Sequence, residues 1–181
     1  MRKALIVGID NYTQCPLHGC CNDAEHMAQE LSCNGDGSPN FSVKLQKNVS
    51  TKAHLRKLIE ECFSGDADVA LFYYSGHGHI DNVGGYLVTP DFGAHDYGVS
   101  LQEVLNIAND SRCKDKIIIL DSCYSGFMGS ISSSGQVTAV INEGVTILTA
   151  SRSTETSVEL NGHGLFTSLL LEARSEEHTS E

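Results

Sequence analysis

Short apolar runs alternate with amphipathic stretches along most of this chain of 181 residues. The apolar runs predict buried strands, because they are short and rich in β-branched and aromatic residues. Strands that alternate with helices are typical of a parallel sheet covered by helices on both faces. The sequence therefore predicts an α/β fold with a mainly parallel central sheet, whose strands run from Ala4 to Ile9, Ser42 to Leu45, Asp68 to Tyr74, Lys116 to Leu120 and Val145 to Thr149.

Four helices are predicted from apolar residues spaced three and four positions apart. The first begins at Asn22, with Asn22 or Asp23 as its N-cap. The third begins at Ser100, and Ser100 with Glu103 matches the capping-box pattern. The second is predicted from Ser50 or Thr51 to the region of Gly65, and the fourth from Leu165 to Glu172.

Composition and charge exclude several classes of function. The chain is 40% hydrophobic and carries a net charge of −11, with no Lys/Arg cluster longer than Arg2-Lys3. The basic patch of a nucleic-acid binder is therefore missing. No apolar stretch approaches the roughly 20 residues that span a bilayer, and the N-terminal run is too short for a signal peptide. We expect a cytoplasmic protein that binds neither nucleic acid nor membrane.

The length fits one folded domain, which we predict over residues 1–173. Residues 174–181 are polar and aperiodic, so they are expected to be a disordered or foreign tail. Seven cysteines make an odd count in a chain without a secretory signal. Reduced thiols are therefore expected rather than a disulfide framework.

Candidate chemistry lies at the ends of two predicted strands. His77 stands in Ser-Gly-His-Gly after the third strand, and Cys123 stands in Asp-Ser-Cys-Tyr-Ser-Gly after the fourth. Functional residues of open α/β sheets gather at the carboxyl ends of strands. An imidazole near a cysteine can favour the reactive thiolate and then protonate a leaving amine. Singly, such a cysteine is more often a buried hydrophobe, and such a histidine more often a turn residue.

The two motifs resemble those of the caspase and metacaspase family of cysteine peptidases, closest to bacterial caspase-like proteins. Cys123 follows His77 by 46 positions, close to the roughly 50 residues that separate the pair in caspases. The resemblance covers most of the chain from Lys3 to Ala173, including the segments Ala4–Tyr12, Leu17–Ala24, Ala150–Arg152 and Gly162–Thr167.

This resemblance implies a three-layer α/β/α caspase-like fold that lacks its last strand after Ala173. It implies a cysteine endopeptidase with Cys123 as nucleophile and His77 as its acid/base partner. The backbone N–H groups of Gly78 and Cys123 would hold the oxyanion of the tetrahedral intermediate.

Resemblance to metacaspases also implies an acidic pocket for the residue before the scissile bond. The matching positions are Asp23 and Asp121, with Ser75 alongside. Such a pocket would bind Arg or Lys and repel Asp, so we expect protein or peptide substrates with basic residues. The alternative is that Asp23 only caps a helix and Asp121 only ends a strand.

No cofactor is expected. Asp91 matches one position of the calcium site of calcium-dependent metacaspases, but Val99 and Ser100 stand where an acidic pair is expected. A calcium cage needs six to eight oxygen ligands, so we expect calcium independence. Zinc binding is disfavoured because no two of Cys15, Cys20 and Cys21 have Cys-x-x-Cys spacing; His77-Gly-His79 as a metal ligand pair is equally disfavoured.

The sequence also bears on self-cleavage and on functions other than proteolysis. The segment between Tyr124 and Gly144 contains no Lys or Arg, so an enzyme selective for basic residues would not cut itself there.

The main alternative to a peptidase is a catalytically idle adaptor with the same fold. A nucleotide-binding domain is disfavoured, because no Gly-x-Gly-x-x-Gly motif follows the first strand. The oligomeric state and the roles of Arg152, Glu159 and His163 are not determined by the sequence.

Overall fold

The computed structural model describes residues 1–94, 96–123, 143–150, 159–160 and 163–164. Within them lie three helices, α1 (Cys20–Ser32), α2 (Lys52–Phe63) and α3 (Leu101–Asn109). The strands are β1 (Arg2–Gly8), β2 (Ser42–Lys47), β3 (Val69–Ile80), β4 (Gly85–Gly93), β5 (Asp96–Ser100), β6 (Asp115–Cys123), β7 (Val145–Ala150), β8 (Glu159–Leu160) and β9 (His163–Gly164).

The five predicted strands form the parallel part of the sheet, in the order β2-β1-β3-β6-β7. The prediction of a mainly parallel central sheet is therefore confirmed. β1 and β6 flank β3, so the third and fourth predicted strands are direct neighbours. Their carboxyl ends meet at one edge of the sheet.

The hairpin formed by β4 and β5 was not predicted from the sequence. β3 continues past its parallel neighbours, and its last residues Gly78 to Ile80 pair antiparallel with β4. β4 then pairs antiparallel with β5, with an irregular register between Val88 and Gly93. This extension places the hairpin directly beside the strand end that carries His77.

The two faces of the sheet carry separate apolar clusters, because alternate residues of a strand point to opposite faces. Ile6, Tyr73 and Ile119 pack against α1 on one face. On the other face, Val7, Phe72, Tyr74, Ile118 and Leu120 pack with residues of α2 and α3. Helices on both faces make the three-layer α/β/α arrangement expected for a caspase-like fold.

The predicted start of α2 and the predicted capping box of α3 are confirmed. The Thr51 hydroxyl accepts a hydrogen bond from the His54 N–H at 3.2 Å. At α3, Ser100 and Glu103 form a complete capping box. Among these three helices, none combines the length and apolarity that a bilayer-spanning segment requires. The predicted fourth helix and the chain after Ala173 lie outside the described residues.

The predicted cap of α1 is wrong. The helix begins at Cys20 rather than after Asn22 or Asp23, and its N-cap residue is Gly19. The side chain that satisfies its first N–H groups comes from Asp10, whose two carboxylate oxygens accept from Cys20 at 2.9 Å and Cys21 at 3.1 Å. A carboxylate at a helix N-terminus also interacts favourably with the helix dipole.

Candidate active site

The register between β3 and β6 aligns the residues of both motifs. Ser75 is the Cα partner of Asp121, and His77 is the Cα partner of Cys123. Adjacent strands lie about 4.8 Å apart, so partners in a parallel pair are main-chain neighbours. The two residues named for the chemistry therefore stand side by side at the carboxyl edge of the sheet.

The His77 imidazole is held by two contacts from the segment that follows β1. Its Nε2 lies 2.7 Å from the Cys15 carbonyl oxygen, and its ring meets the Tyr12 ring edge-on at a centroid distance of 4.5 Å. A carbonyl oxygen can only accept a hydrogen bond, so Nε2 carries the proton. In the neutral ring, this leaves the lone pair on Nδ1.

The backbone around His77 is fixed by two buried tyrosine hydroxyls. The Tyr12 hydroxyl accepts from the His77 N–H at 3.1 Å, and the Tyr74 hydroxyl lies 3.0 Å from the His77 carbonyl. The hydroxyls are 3.1 Å apart, and a Cβ on Gly76 would approach them to 2.7 and 2.6 Å. Glycine is therefore required before His77, and burial raises the pKa of Tyr12 so that it stays neutral.

The structure brings together the residues expected to form the acidic pocket. Asp23 and Ser75 are both 2% exposed, and Asp121 is half-buried beside Ser75 on the neighbouring strand. The thiol of Cys20 lies among them. Burial raises its pKa, a hydrogen bond with Ser75 opposes that rise, and the charges of Asp10, Asp23 and Asp121 add to it. Three carboxylates thus contribute negative potential at the Cys20 thiol, between α1 and the strand ends.

The electrostatic environment of Cys20 has a consequence for its chemistry. Because both burial and the neighbouring carboxylates disfavour the thiolate, Cys20 stays a neutral thiol at physiological pH. Cys21 behaves in the same way, since burial and the adjacent Asp10 raise its pKa to about 11. Neither thiol is therefore activated as a nucleophile.

We predict that iodoacetamide alkylates Cys21 at least roughly ten-fold more slowly than the exposed Cys33 at about pH 8, where an ordinary thiol is partly ionised. The raised pKa keeps Cys21 protonated, so its alkylation should accelerate over the alkaline range up to about 11. Peptide mapping by mass spectrometry measures both rates. Equal rates at the two cysteines would contradict the raised pKa.

The segments named for metal binding have other roles in the described part of the chain. The Asp91 carboxylate accepts from the Lys52 N–H at 3.1 Å and from the Thr89 hydroxyl at 2.6 Å. Val99 is buried in the core, and Ser100 caps α3. None of the cysteines whose side chains are described forms a disulfide.

Several residues that build the site were not identified from the sequence as functional. They are Asp10, Tyr12 and Asn48, together with the carbonyl of Cys15. Asp10 and Tyr12 lie within a segment that carries the family resemblance, which was the one available signal. Residues 124–142 and Arg152 lie outside the described part, and of Glu159 and His163 only the strand backbone is described.

The fold and the alignment of the two strand ends define a three-layer α/β protein of the caspase type. Comparison with known proteins agrees: the model of the caspase domain of C14 peptidases matches residues 1–181. The chain belongs to this family of cysteine peptidases. It is also 34% identical over 88 residues to metacaspase-9 of Arabidopsis thaliana, an alignment that covers 42% of this chain and 27% of that protein.

Proposed function

We propose that this protein is a cysteine endopeptidase that cleaves after Arg or Lys, with Cys123 as nucleophile and His77 as general acid and base. The observation that carries the proposal is the parallel register of β3 and β6. It sets His77 beside Cys123 and, two residues earlier on the same strands, Ser75 beside Asp121. The proposed base and nucleophile are therefore two residues along their strands from the polar residues of the proposed pocket.

The contacts of His77 suit the proposed acid/base role. With Nε2–H donated to the Cys15 carbonyl, Nδ1 is the nitrogen that takes the proton of the Cys123 thiol. The thiolate sulfur then bonds to the scissile carbonyl carbon, and the imidazolium gives its proton to the amine as the C–N bond breaks. Water hydrolyses the resulting thioester and restores the thiol. By family resemblance, the N–H groups of Gly78 and Cys123 hold the oxyanion.

The acidic pocket supports the preference for basic residues. Asp23 is buried, Asp121 is half-buried, and Asp10 acts on the same region between α1 and the strand ends. An arginine or lysine side chain that enters there gains charge-assisted hydrogen bonds in a poorly solvated site. An aspartate side chain meets like charges and is rejected. Substrate cleavage after Asp is therefore disfavoured by electrostatics.

Two further features of the chain bear on how the activity would be regulated. We propose calcium-independent activity, because Asp91 binds the N-terminus of α2 and Thr89. Val99 occupies the core where calcium-dependent relatives carry an acidic residue. We also propose that the enzyme does not process itself between Tyr124 and Gly144, because that segment has no Lys or Arg.

Fluorogenic peptides that end in Arg, Lys or Asp test the proposal. We expect turnover of the Arg and Lys peptides, with the Asp peptide slower by about 100-fold or more, in line with the cost of placing like charges together. Added calcium and added chelator should give the same rates. Absence of turnover by folded protein would favour the idle adaptor, and turnover after Asp alone would refute the acidic pocket.

A further inference from the structure

Asn48 lies just after β2, two strands away from the candidate active site, and has an unusual backbone conformation. Its φ angle is +54°, the one positive value among the non-glycine residues that the structure describes. Asparagine tolerates this left-handed region better than most residues. The conformation lets the Asn48 N–H donate to the Gly8 carbonyl at 2.8 Å while its side chain lies against the chain that follows β1.

The Asn48 side chain holds the first residues of the segment that we name the 10–19 loop. Its Oδ1 accepts from the N–H of Asp10 at 2.9 Å and from the N–H of Asn11 at 3.1 Å. The Cys21 thiol, just beyond the other end of the loop, shares its one proton between this oxygen at 3.5 Å and the Gly8 carbonyl at 3.4 Å. One amide oxygen therefore ties together the entry to the loop and the helix that follows it.

Asp10 closes the base of the loop. Its carbonyl accepts from the Leu17 N–H at 3.0 Å, and its carboxylate accepts from the first two N–H groups of α1. The position of Asp10 in turn depends on the N–H bond to Asn48. The shape of the 10–19 loop is thus set at its base, and Asn48 is the residue outside the loop that holds this base.

The 10–19 loop supplies both described contacts to the His77 ring, the Tyr12 ring and the Cys15 carbonyl. Cys15 and its neighbours on either side are exposed. Little packing therefore fixes the Cys15 carbonyl directly, and its position relies on the hydrogen bonds at the base of the loop. A change at that base should move the acceptor that fixes the proton on Nε2.

We propose that Asn48 is a positioning residue for His77: by holding the base of the 10–19 loop, it keeps the Cys15 carbonyl in place to fix the imidazole tautomer and orientation. The inference rests on the proposed role of His77 and extends it to a residue that directly follows the edge strand β2. Asn48 acts through the loop and makes no described contact with the ring.

Two substitutions separate the side chain from the backbone. Asn48→Gly keeps access to the left-handed conformation but removes the amide oxygen. Asn48→Asp keeps an acceptor oxygen for the two N–H groups, at the cost of a charge near the Asp10 carboxylate. We expect Asn48→Gly to lower kcat about ten-fold with KM changed by less than about two-fold, because misplaced catalytic groups cost rate rather than substrate binding. Asn48→Asp should recover a measurable part of the loss.

Thr51→Ala is the matched control, since it removes the N-cap hydrogen bond of α2 close by in sequence. It should lower the melting temperature by a few degrees, because the N-cap hydrogen bond of α2 is lost, yet leave kcat unchanged. Wild-type kcat in Asn48→Gly would overturn the inference. So would equal losses of kcat in Asn48→Gly and Thr51→Ala, because a loss shared with the control reflects general stability.

A second measurement does not depend on turnover. The ¹⁵N chemical shifts of the His77 ring report which nitrogen carries the proton. We expect the Nε2–H tautomer alone in the wild-type protein and a mixture of tautomers in Asn48→Gly. An unchanged tautomer in the variant would refute the positioning role. An inactive wild-type protein would refute the proposed function instead, and the NMR result would still decide the role of Asn48.

Discussion

Replacement of Cys123 by alanine is expected to lower kcat/KM for an Arg-ending peptide by about 10⁴-fold or more. The two thiols beside the pocket cannot replace Cys123, because burial and nearby carboxylates keep Cys20 and Cys21 protonated. Losses of this size are measured when the nucleophile of a comparable hydrolase is removed. His77→Ala should have an effect of similar size, because the two residues act as a unit. Initial rates at substrate concentrations well below KM give the comparison.

Cys33→Ala provides the control for loss of a thiol. Cys33 follows the last residue of α1, about 20 Å along the helix from the pocket end, and its side chain is exposed. Its removal should leave kcat/KM within about two-fold of wild type, as for most surface substitutions. Turnover by Cys123→Ala near the wild-type rate would assign the nucleophile to another residue.

The second large effect is expected at the pocket. Asp121→Asn should lower kcat/KM for Arg and Lys peptides by about 100-fold, since losing one partner of a poorly solvated charge pair costs roughly 2–5 kcal/mol. The kcat/KM for the Asp peptide should stay unchanged or rise slightly, because one repelling charge is gone. The change in the ratio of Arg to Asp cleavage is thus the diagnostic quantity.

Asp115→Asn is the matched control on the same strand. Asp115 begins β6 and is exposed, about 20 Å from Asp121 at the other end of the strand. The substitution removes the same charge without touching the pocket, so it should leave the Arg-to-Asp ratio unchanged. A ratio that shifts equally in both variants would point to the overall negative field instead of a pocket.

The parts of the fold that could be predicted depend on local signals. Four of the five parallel strands contain a largely apolar run, and β2 alternates polar and apolar residues. The Thr51 and Ser100 caps lie within four residues of the N–H groups they bind. The hairpin of β4 and β5 has only the short apolar run of residues 86–88, because Pro90 and Asp91 follow it and Gly98 interrupts β5. The start of α1 was misplaced because its capping carboxylate comes from Asp10, ten residues before the helix.

The residues of the candidate site also divide into those with a local sequence signal and those placed by distant parts of the chain. Both motifs sit at strand ends, and a parallel sheet brings neighbouring strand ends together, so the nearness of His77 and Cys123 followed from the sequence. The Cys15 carbonyl could not be foreseen, because any residue has a carbonyl and only the path of the loop selects this one. Asn48 likewise carries no local pattern that links it to His77 across 29 positions.

Labelling with a peptide acyloxymethyl ketone that carries a terminal Arg tests the nucleophile and the pocket in one experiment, because a single covalent adduct depends on both. The sulfur of an activated cysteine displaces the acyloxy group of the reagent as a carboxylate and forms a thioether. Mass spectrometry then locates the adduct. We predict stoichiometric labelling of Cys123, with labelling by the Asp reagent slower by about 100-fold. Labelling of a different cysteine would show that Cys123 is not the nucleophile, and faster labelling by the Asp reagent would show that the pocket does not select basic residues.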